Sequence, residues 1–453
     1  MPASFVFDQN KCTGCQACQL ACVIENRLEP DRSWRAIHTF NARHYPGAPL
    51  FHISLACNHC AEPACMSACP ALAYSKDSET GVVLLDQDKC IGCRYCTWAC
   101  PYDAPKFTSA AGVVSKCTFC QQRLTVGLEP ACVDLCPTGA LTFENLAQQD
   151  ITNDVAGFTA SNMQPSIKII PLLDTRLIPD LAAQESEVTR VSGAEQIASR
   201  ISLRSEWSLA LFTLLAAGMF ALLFAAVIAP IQPAGLLFPI LAVAALGLAA
   251  AHLGKQRRAL RAALNVAQSW LSREAVSFAL FAGVGTAYFW FAPDSRLVGW
   301  VALLLGVGMV ISADRVYKFA LKPHASVPHS AAVALTGLFL GGVLAQHPVS
   351  LALAGGLKLF LYLWRKSHFA RTGFPVRPGV STIRISLGFA LPVLLWSLQS
   401  EWATGLLLAC VLVAELIDRL EYYAEVEIMT PARQMALDLE NWPRHAVAQP
   451  TSG

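Results

Sequence analysis

An α+β domain followed by an all-α, eight-helix transmembrane domain is the fold class the sequence predicts, on three observations. Sixteen of the 17 cysteines fall between Cys12 and Cys136, in four groups of four. From about Trp207 onward the 453-residue chain is rich in Leu, Ala, Val and Phe and poor in acidic residues, and it carries the positive mean hydropathy of +0.43. Polar breaks cut that second half into eight apolar stretches whose flanking basic residues crowd to one side.

The cysteine groups come first in the chain. The first reads Cys12-x2-Cys15-x2-Cys18-x3-Cys22, and the third repeats it as Cys90-x2-Cys93-x2-Cys96-x3-Cys100-Pro101. The second is stretched, Cys57-x2-Cys60-x4-Cys65-x3-Cys69-Pro70. The fourth is opened by a loop, Cys117-x2-Cys120-x11-Cys132-x3-Cys136-Pro137. Three close cysteines wrap three corners of a cubane cluster within one loop, while the fourth has turned away on a helix and reaches the neighbouring cluster. Four groups imply four [4Fe–4S] clusters in two pairs, so residues 1–146 read as a double-ferredoxin-like α+β domain. Tetrahedral zinc would explain CxxC halves but not a third cysteine at x2 and a fourth at x3. Disulfides need an oxidising compartment, and cysteines this close on one loop rarely bridge. Within the loops, Gln16, Asn58, His59, Arg94 and Tyr95 either tune the clusters by hydrogen bonds to sulfur or only face solvent.

Residues 147–205 are polar and broken by prolines, an extended arm and linker. The apolar stretches follow at about 207–229, 234–253, 275–292, 297–313, 331–346, 349–364, 385–400 and 402–417. Several fall short of the ~20 residues a straight span takes, but their number and lack of internal charge predict an eight-span membrane anchor over 206–430. Residues 431–453 read as a polar tail.

Charge patterning gives orientation. On one face lie Arg200, Arg204, Lys255, Arg257, Arg258, Arg261, Arg273, Arg315, Lys318, Lys322, Arg365, Lys366, Arg371, Arg377, Arg384 and Arg419, against Arg296 on the other. The positive-inside rule then predicts a multi-pass protein of the bacterial cytoplasmic membrane, with the cysteine domain and both termini in the cytoplasm. Met1-Pro2-Ala3-Ser4 runs straight into the strand-like Phe5-Val6-Phe7, so no cleavable leader is expected. A net charge of +2 gives no argument for nucleic acid as a partner.

A chain of clusters needs an electron source and a sink. No GxGxxG after a strand and no GxxxxGK[ST] is present, so no nucleotide cofactor is indicated. The lipid bilayer offers quinone, ubiquinone or menaquinone, whose site needs hydrogen-bonding groups in an apolar slot. Polar residues at span ends or within spans are the candidates: His252 closing span two, Ser272 and Glu274 opening span three, Arg315 and Tyr317 after span four, Lys358 inside span six, and Glu415 with Arg419 at the end of span eight. Snorkelling to headgroups is the competing account of the basic ones. Cys410 is read as a small core residue.

Residues 1–146 resemble the four-cluster electron-transfer subunits of the molybdopterin oxidoreductase superfamily, which includes dimethyl sulfoxide reductase, formate dehydrogenase and polysulfide reductase. The resemblance implies that Cys12, Cys15, Cys18 and Cys136 hold one cluster and Cys22, Cys117, Cys120 and Cys132 a second. It assigns Cys57, Cys60, Cys65 and Cys100 to a third, and Cys69, Cys90, Cys93 and Cys96 to a fourth. Residues 205–430 resemble the eight-span anchor of the dimethyl sulfoxide reductase type through His252-Leu253-Gly254 with Arg258-Ala259, Ser272-x-Glu274, Arg315-Val316-Tyr317, and Glu415-Leu416-Ile417 with Arg419. It implies a quinol-binding role for His252 and a catalytic partner subunit carrying molybdenum bis(molybdopterin guanine dinucleotide), absent from this chain.

The expectation is an electron-transfer and anchor subunit, two usually separate subunits fused, with no catalytic residue of its own. A cytoplasmic cluster domain resembles membrane-bound sulfite dehydrogenases, which oxidise sulfite to sulfate and reduce quinone. Two rivals stay open: a quinol-oxidising S-oxide or N-oxide reductase, and an ion-translocating or anchoring module whose clusters sense redox state.

Overall fold

The computed structural model describes residues 2–44, 48–173, 203–229, 235–317, 329–372, 376–398, 400–426 and 428–442. The chain divides into two compact units: residues 1–199 with 428–453, and residues 200–427.

The first unit is built around strand β1 (Ala3–Asp8), buried along almost its whole length. It pairs antiparallel with β8 (Leu141–Asn145) and parallel with β9 (Ile167–Ile170). Because β1 is central, its alternation of Phe5 and Phe7 with Ser4 and Val6 leaves no polar face. Three two-stranded hairpins surround it: β2 (Ala36–Phe40) with β3 (Phe51–Leu55), β4 (Tyr74–Lys76) with β5 (Val83–Leu85), and β6 (Lys106–Thr108) with β7 (Val113–Ser115). The helices that go with the cysteine groups are short: α1 (Ala17–Glu25), α2 (Ala64–Ala68), α3 (Tyr95–Ala99), α4 (Gln121–Leu124) and α5 (Ala131–Asp134). Each carries or follows the cysteines of one group, so these elements serve to place sulfur.

The arm and linker expected over 147–205 can pack on a partner or on the cysteine domain, and its first part does the latter. Residues 147–173 pack into this unit, because Ile167 and Ile169 bury against the core as β9. Residues 174–202 lie outside those described.

The second unit is helical in every one of the eight apolar stretches. Its elements are α6 (Leu203–Ile228), α7 (Leu237–Ala251), α8 (Trp270–Phe291), α9 (Arg296–Val316), α10 (Val333–Leu344), α11 (Pro348–Thr372), α12 (Pro378–Ile385) running through a π-turn into α13 (Leu391–Trp396), and α14 (Glu401–Glu425). Among the described residues four of these rods are long and apolar enough to cross a bilayer: α6, α8, α9 and α12–α13. A fifth counts if α7 is taken with the 3-10 stretch Gln256–Ala263, which bends away by 105°. The count of eight is therefore not reached on length and apolarity alone. At ~1.5 Å per residue the twelve residues of α10 rise only ~18 Å of a ~30 Å hydrocarbon core, while α11 and α14 run past the expected ends and carry charge along their length. Cys410 is a buried core residue of this bundle.

After Glu427 the chain rejoins the first unit, and the segment read as a polar tail holds a helix, α15 (Pro431–Glu440). Its apolar side explains the difference: Met435 is buried with Phe40 and Phe51, Trp442 packs edge-on against Phe40 at 5.5 Å, and Gly157 N–H donates to Asp438 Oδ2 at 2.7 Å.

Candidate metal centres

The cysteine loops share a backbone device. The residue just before the second cysteine of each group is left-handed: Gly14 (φ 70°), His59 (φ 44°), Gly92 (φ 71°) and Phe119 (φ 58°). Two are glycines, as the conformation prefers; at Gly14 a Cβ would also meet the His52 ring at 2.8 Å. Left-handed His and Phe are costly, and such strain persists where surrounding structure imposes it for function. The turn aims backbone N–H groups at sulfur: Gly92 N–H donates to Cys90 Sγ at 3.4 Å and Phe119 N–H to Cys117 Sγ at 3.3 Å. Gln16 and Arg94, one residue past the second cysteine, are left-handed too and precede α1 and α3.

All sixteen thiols are free of disulfides, and their electrostatic neighbours fall mostly within the four expected quartets. At a first site Cys12 feels Cys18, Cys136 and Cys15. At a second, Cys117 feels Cys22 and Cys132, and Cys120 feels Cys22. At a third, Cys60 feels Cys57, Cys100 and Cys65. At a fourth, Cys93 feels Cys69 and Cys90, and Cys96 feels Cys93 and Cys69. Between sites the neighbours are Cys18 with Cys132, Cys117 with Cys57, and Cys96 with Cys65. The four sites thus follow one another in a line. Every thiol of the second and third sites is buried; Cys15, exposed, and Cys12, Cys136 and Cys93, half-buried, belong to the outer two.

These surroundings fit a polynuclear cluster better than a single ion. Among the described residues no three His, Cys, Asp or Glu side chains converge on one metal ion. Instead one cavity is lined by Cys22, Cys117, Cys120 and Cys132, another by Cys57, Cys60, Cys65 and Cys100. Burial, and then the neighbouring thiols, push Cys60 and Cys65 far above the ordinary thiol range, and burial pushes Cys93 up to about 12. Bare buried quartets resist ionising; a cationic iron core is what makes thiolates of them.

Residues the motifs did not mark stand between the sites. Arg35 is buried beside the first and second; its charge meets Cys132, Cys18, Cys117 and Cys22. Buried Lys116 donates to Cys117 O at 2.8 Å and to Val83 O, and lines the third cavity. The ring of His59 meets Phe119 edge-on at 5.2 Å, one left-handed residue from each of two neighbouring loops, while its Nδ1 accepts the Val83 N–H at 3.0 Å. Burial, with Lys116 and Arg35 near, holds that imidazole well below its ordinary pKa, hence neutral. No spacing rule flags Arg35 or Lys116.

In the helical unit the structure divides the eight quinone candidates. His252 is half-buried at the C-terminal end of α7. Arg315 is exposed, its guanidinium 5.1 Å from the Trp270 ring that also carries Arg273 at 4.3 Å. Buried Ser272 accepts the Asn265 N–H at 3.3 Å. Buried Glu274 lies within electrostatic reach of Asp314 and Tyr317, and the Tyr317 and Tyr423 hydroxyls are hydrogen-bonded. Asp314 accepts the N–H groups of Val333 (2.6 Å) and Ala334 (3.2 Å), capping α10. Buried Arg419 faces Asp314.

Lys358 and Glu415 belong to a different assembly. Lys358 Nζ lies 2.8 Å from Glu415 and 3.9 Å from Asp418, and it donates to Ser330 O and to Thr336 Oγ1 (3.0 Å). Arg384 reaches Asp418 at 2.9 Å; Arg365 joins Asp418 (3.4 Å) to Glu425 (3.0 Å); Lys366 holds Glu421 (2.7 Å) and Glu425 (2.6 Å). Four cations thus meet four carboxylates. Arg365, Lys366, Arg384 and Arg419, counted above as topology signals, are taken up inside the bundle and carry no such information.

A family model described as a 4Fe-4S dicluster domain matches residues 49–146. Among curated relatives, the B component of an anaerobic dimethyl sulfoxide reductase of Haemophilus influenzae is 35% identical over 198 residues, 42% of this protein and 92% of that one. Its counterpart of the same description from Escherichia coli is 41% identical over 147 residues, 31% of this protein and 71% of that one. The B component of a sulfite dehydrogenase of Allochromatium vinosum is 35% identical over 174 residues, covering 34% and 72%.

Proposed function

We propose a function from one premise: this protein belongs to the family of iron–sulfur B components of dimethyl sulfoxide reductase and its relatives. It is an electron-transfer subunit of an oxidoreductase, with a helical region that fits a fused membrane anchor. In our reading the four lined-up sites hold four [4Fe–4S] clusters, with the cysteine sets named above as ligands. Each cluster supplies a store for one electron at a time. The chain's own residues bury the two inner sites, keep water from them, and leave thiols near solvent at the two ends. That linear order, covered in the middle and open at both ends, is the observation that carries the reading. One end would exchange with a catalytic molybdopterin subunit, the other with membrane quinone.

The direction we favour is oxidation of sulfite to sulfate. With water it releases two electrons and two protons, the number that converts one quinone to quinol. The second reading, reduction of an S-oxide or N-oxide by quinol, is favoured by the relatives named dimethyl sulfoxide reductase. The ionic network argues against an ion-translocating module: its charges balance, and Arg365 and Arg384, which do not release protons, interrupt it. For the quinone site, Glu274, Tyr317 and Arg419 on the α8–α9–α14 side are the supported candidates, with His252 at its end of α7; Lys358 and Glu415 are reassigned to the network.

All eight helices cross the membrane in this reading, with the cluster unit in the cytoplasm. Setting aside the four internalised cations leaves twelve basic residues against Arg296, and the bias survives. Residues 428–453 belong to the same compact unit as residues 1–199, so a reporter fused to the C-terminus reads the side on which the clusters lie. A reporter active only in the cytoplasm is expected to give the signal. Signal from one active only outside would favour an exported reductase.

Replacing His252 by Ala is expected to leave the clusters assembled and to slow their reoxidation by a quinone analogue about tenfold, a loss of ~1.4 kcal/mol. Unchanged stopped-flow rates would remove His252 from the port.

A further inference from the structure

Arg35 is 1% exposed, yet within the first unit it is tied down on one side only. Its Nη1 donates to Ser54 O (3.2 Å) and Ser54 Oγ (3.0 Å), and its guanidinium carbon lies 4.4 Å from the Phe5 ring centre. Nε and Nη2 are buried and meet no oxygen or nitrogen acceptor among the described residues, while the guanidinium lies within hydrogen-bonding reach of the Cys132 thiol. A buried guanidinium whose remaining donors have only sulfur to meet is expensive unless negative charge stands on that sulfur. What stands close by is sulfur: Arg35 lines the cavity of Cys22, Cys117, Cys120 and Cys132, and Ser54 Oγ lies 3.4 Å from Cys18 Sγ of the adjacent site. One fixed cation therefore serves two neighbouring sites, directly at one and through Ser54 at the other.

We infer that Arg35 is the residue that sets the reduction potentials of the clusters at the Cys12/Cys15/Cys18/Cys136 and Cys22/Cys117/Cys120/Cys132 sites, raising both. The inference rests on the four-cluster reading above. A cluster held by four thiolates is net negative, and reduction adds one more negative charge, so a nearby cation favours the reduced state. Guanidinium cannot shed its charge at working pH, which makes the bias constant. Arg35 acts through its charge on the two quartets beside it and is a positioning residue in the electrostatic sense.

The test is potentiometric EPR titration of the purified holo-complex, with iron counted and signals assigned by Cys15→Ser and Cys120→Ser. Arg35→Gln is expected to lower two of four potentials, changing the reduced-to-oxidised ratio there about tenfold at fixed ambient potential (~59 mV for one electron). The other two should stay in place, and Arg35→Lys should restore most of the shift. Equal movement of all four, or of none, overturns the inference. If Arg35→Gln loses iron, Ser54→Ala carries the test: it keeps the charge and the bond to Ser54 O but removes the hydroxyl through which the guanidinium reaches Cys18, and an unchanged potential at the Cys12/Cys15/Cys18/Cys136 site sinks the proposal. A wild-type count well below ~16 irons would instead refute the four-cluster reading.

Discussion

Cys65→Ser is expected to yield a protein with about twelve irons in place of about sixteen, with the other three EPR signals retained. Electron transfer from a reduced partner to a quinone analogue should fall to background, because the third site sits inside the line and not at an end. The geometry makes the effect local: Cys65 feels Cys100 and Cys57 of its own site first. Membrane insertion should be normal, since the change lies in the other compact unit. Quinone-linked turnover at the wild-type rate would show that electrons do not pass through this site.

The second large effect is expected at Lys358. Lys358→Met should destabilise the helical unit by about 3–5 kcal/mol, the cost of leaving a buried charge without its partner. Lys358 is 0% exposed and Glu415 2%, so the carboxylate has no route to water and keeps only the Thr336 hydroxyl (2.8 Å) and Arg384 at 3.9 Å. Pairing Lys358→Met with Glu415→Leu should recover part of the loss, as removing both partners of a buried pair costs less than removing one. Thermal unfolding in detergent, run as a double-mutant cycle, reads both numbers. Additive losses would mean that the two side chains do not act on each other.

How much of this was legible beforehand differs between the units. The cysteine groups were readable because ligation fixes spacing at one-residue resolution: an x2 opening pair and an x3 closing pair recur in all four groups, and in two of them the full x2, x2, x3. The left-handed His59 and Phe119 were not, since nothing in the spacing forces a bulky residue into that conformation. Arg35 was missed because it precedes β2, thirteen residues after Cys22 and twenty-two before Cys57, and only folding brings it to sulfur. In the helical unit the eight rods showed as apolar runs, but their ends did not. Runs of hydropathy stop where charges begin, whereas α11 and α14 continue for two turns with their charges facing each other. A signal was present: Lys358, Tyr362, Arg365 and Lys366 recur at helical spacing, as do Glu415, Asp418, Glu421 and Glu425, and two opposed charged stripes on neighbouring apolar helices read as a seam. Taking each charge singly hid that pattern.

The helix α15 has a consequence for biosynthesis. It packs against β2, a strand some four hundred residues earlier in the chain, so that unit is not complete until the helical unit between them has been made. Long sequence separation between contacting segments slows assembly, and here the whole helical unit must be synthesised in the interval. Throughout it, the face formed by Phe40 and Phe51 waits uncovered. Arrival of Met435 and Trp442 then covers it, so the last helix of the described chain completes the core begun by β2.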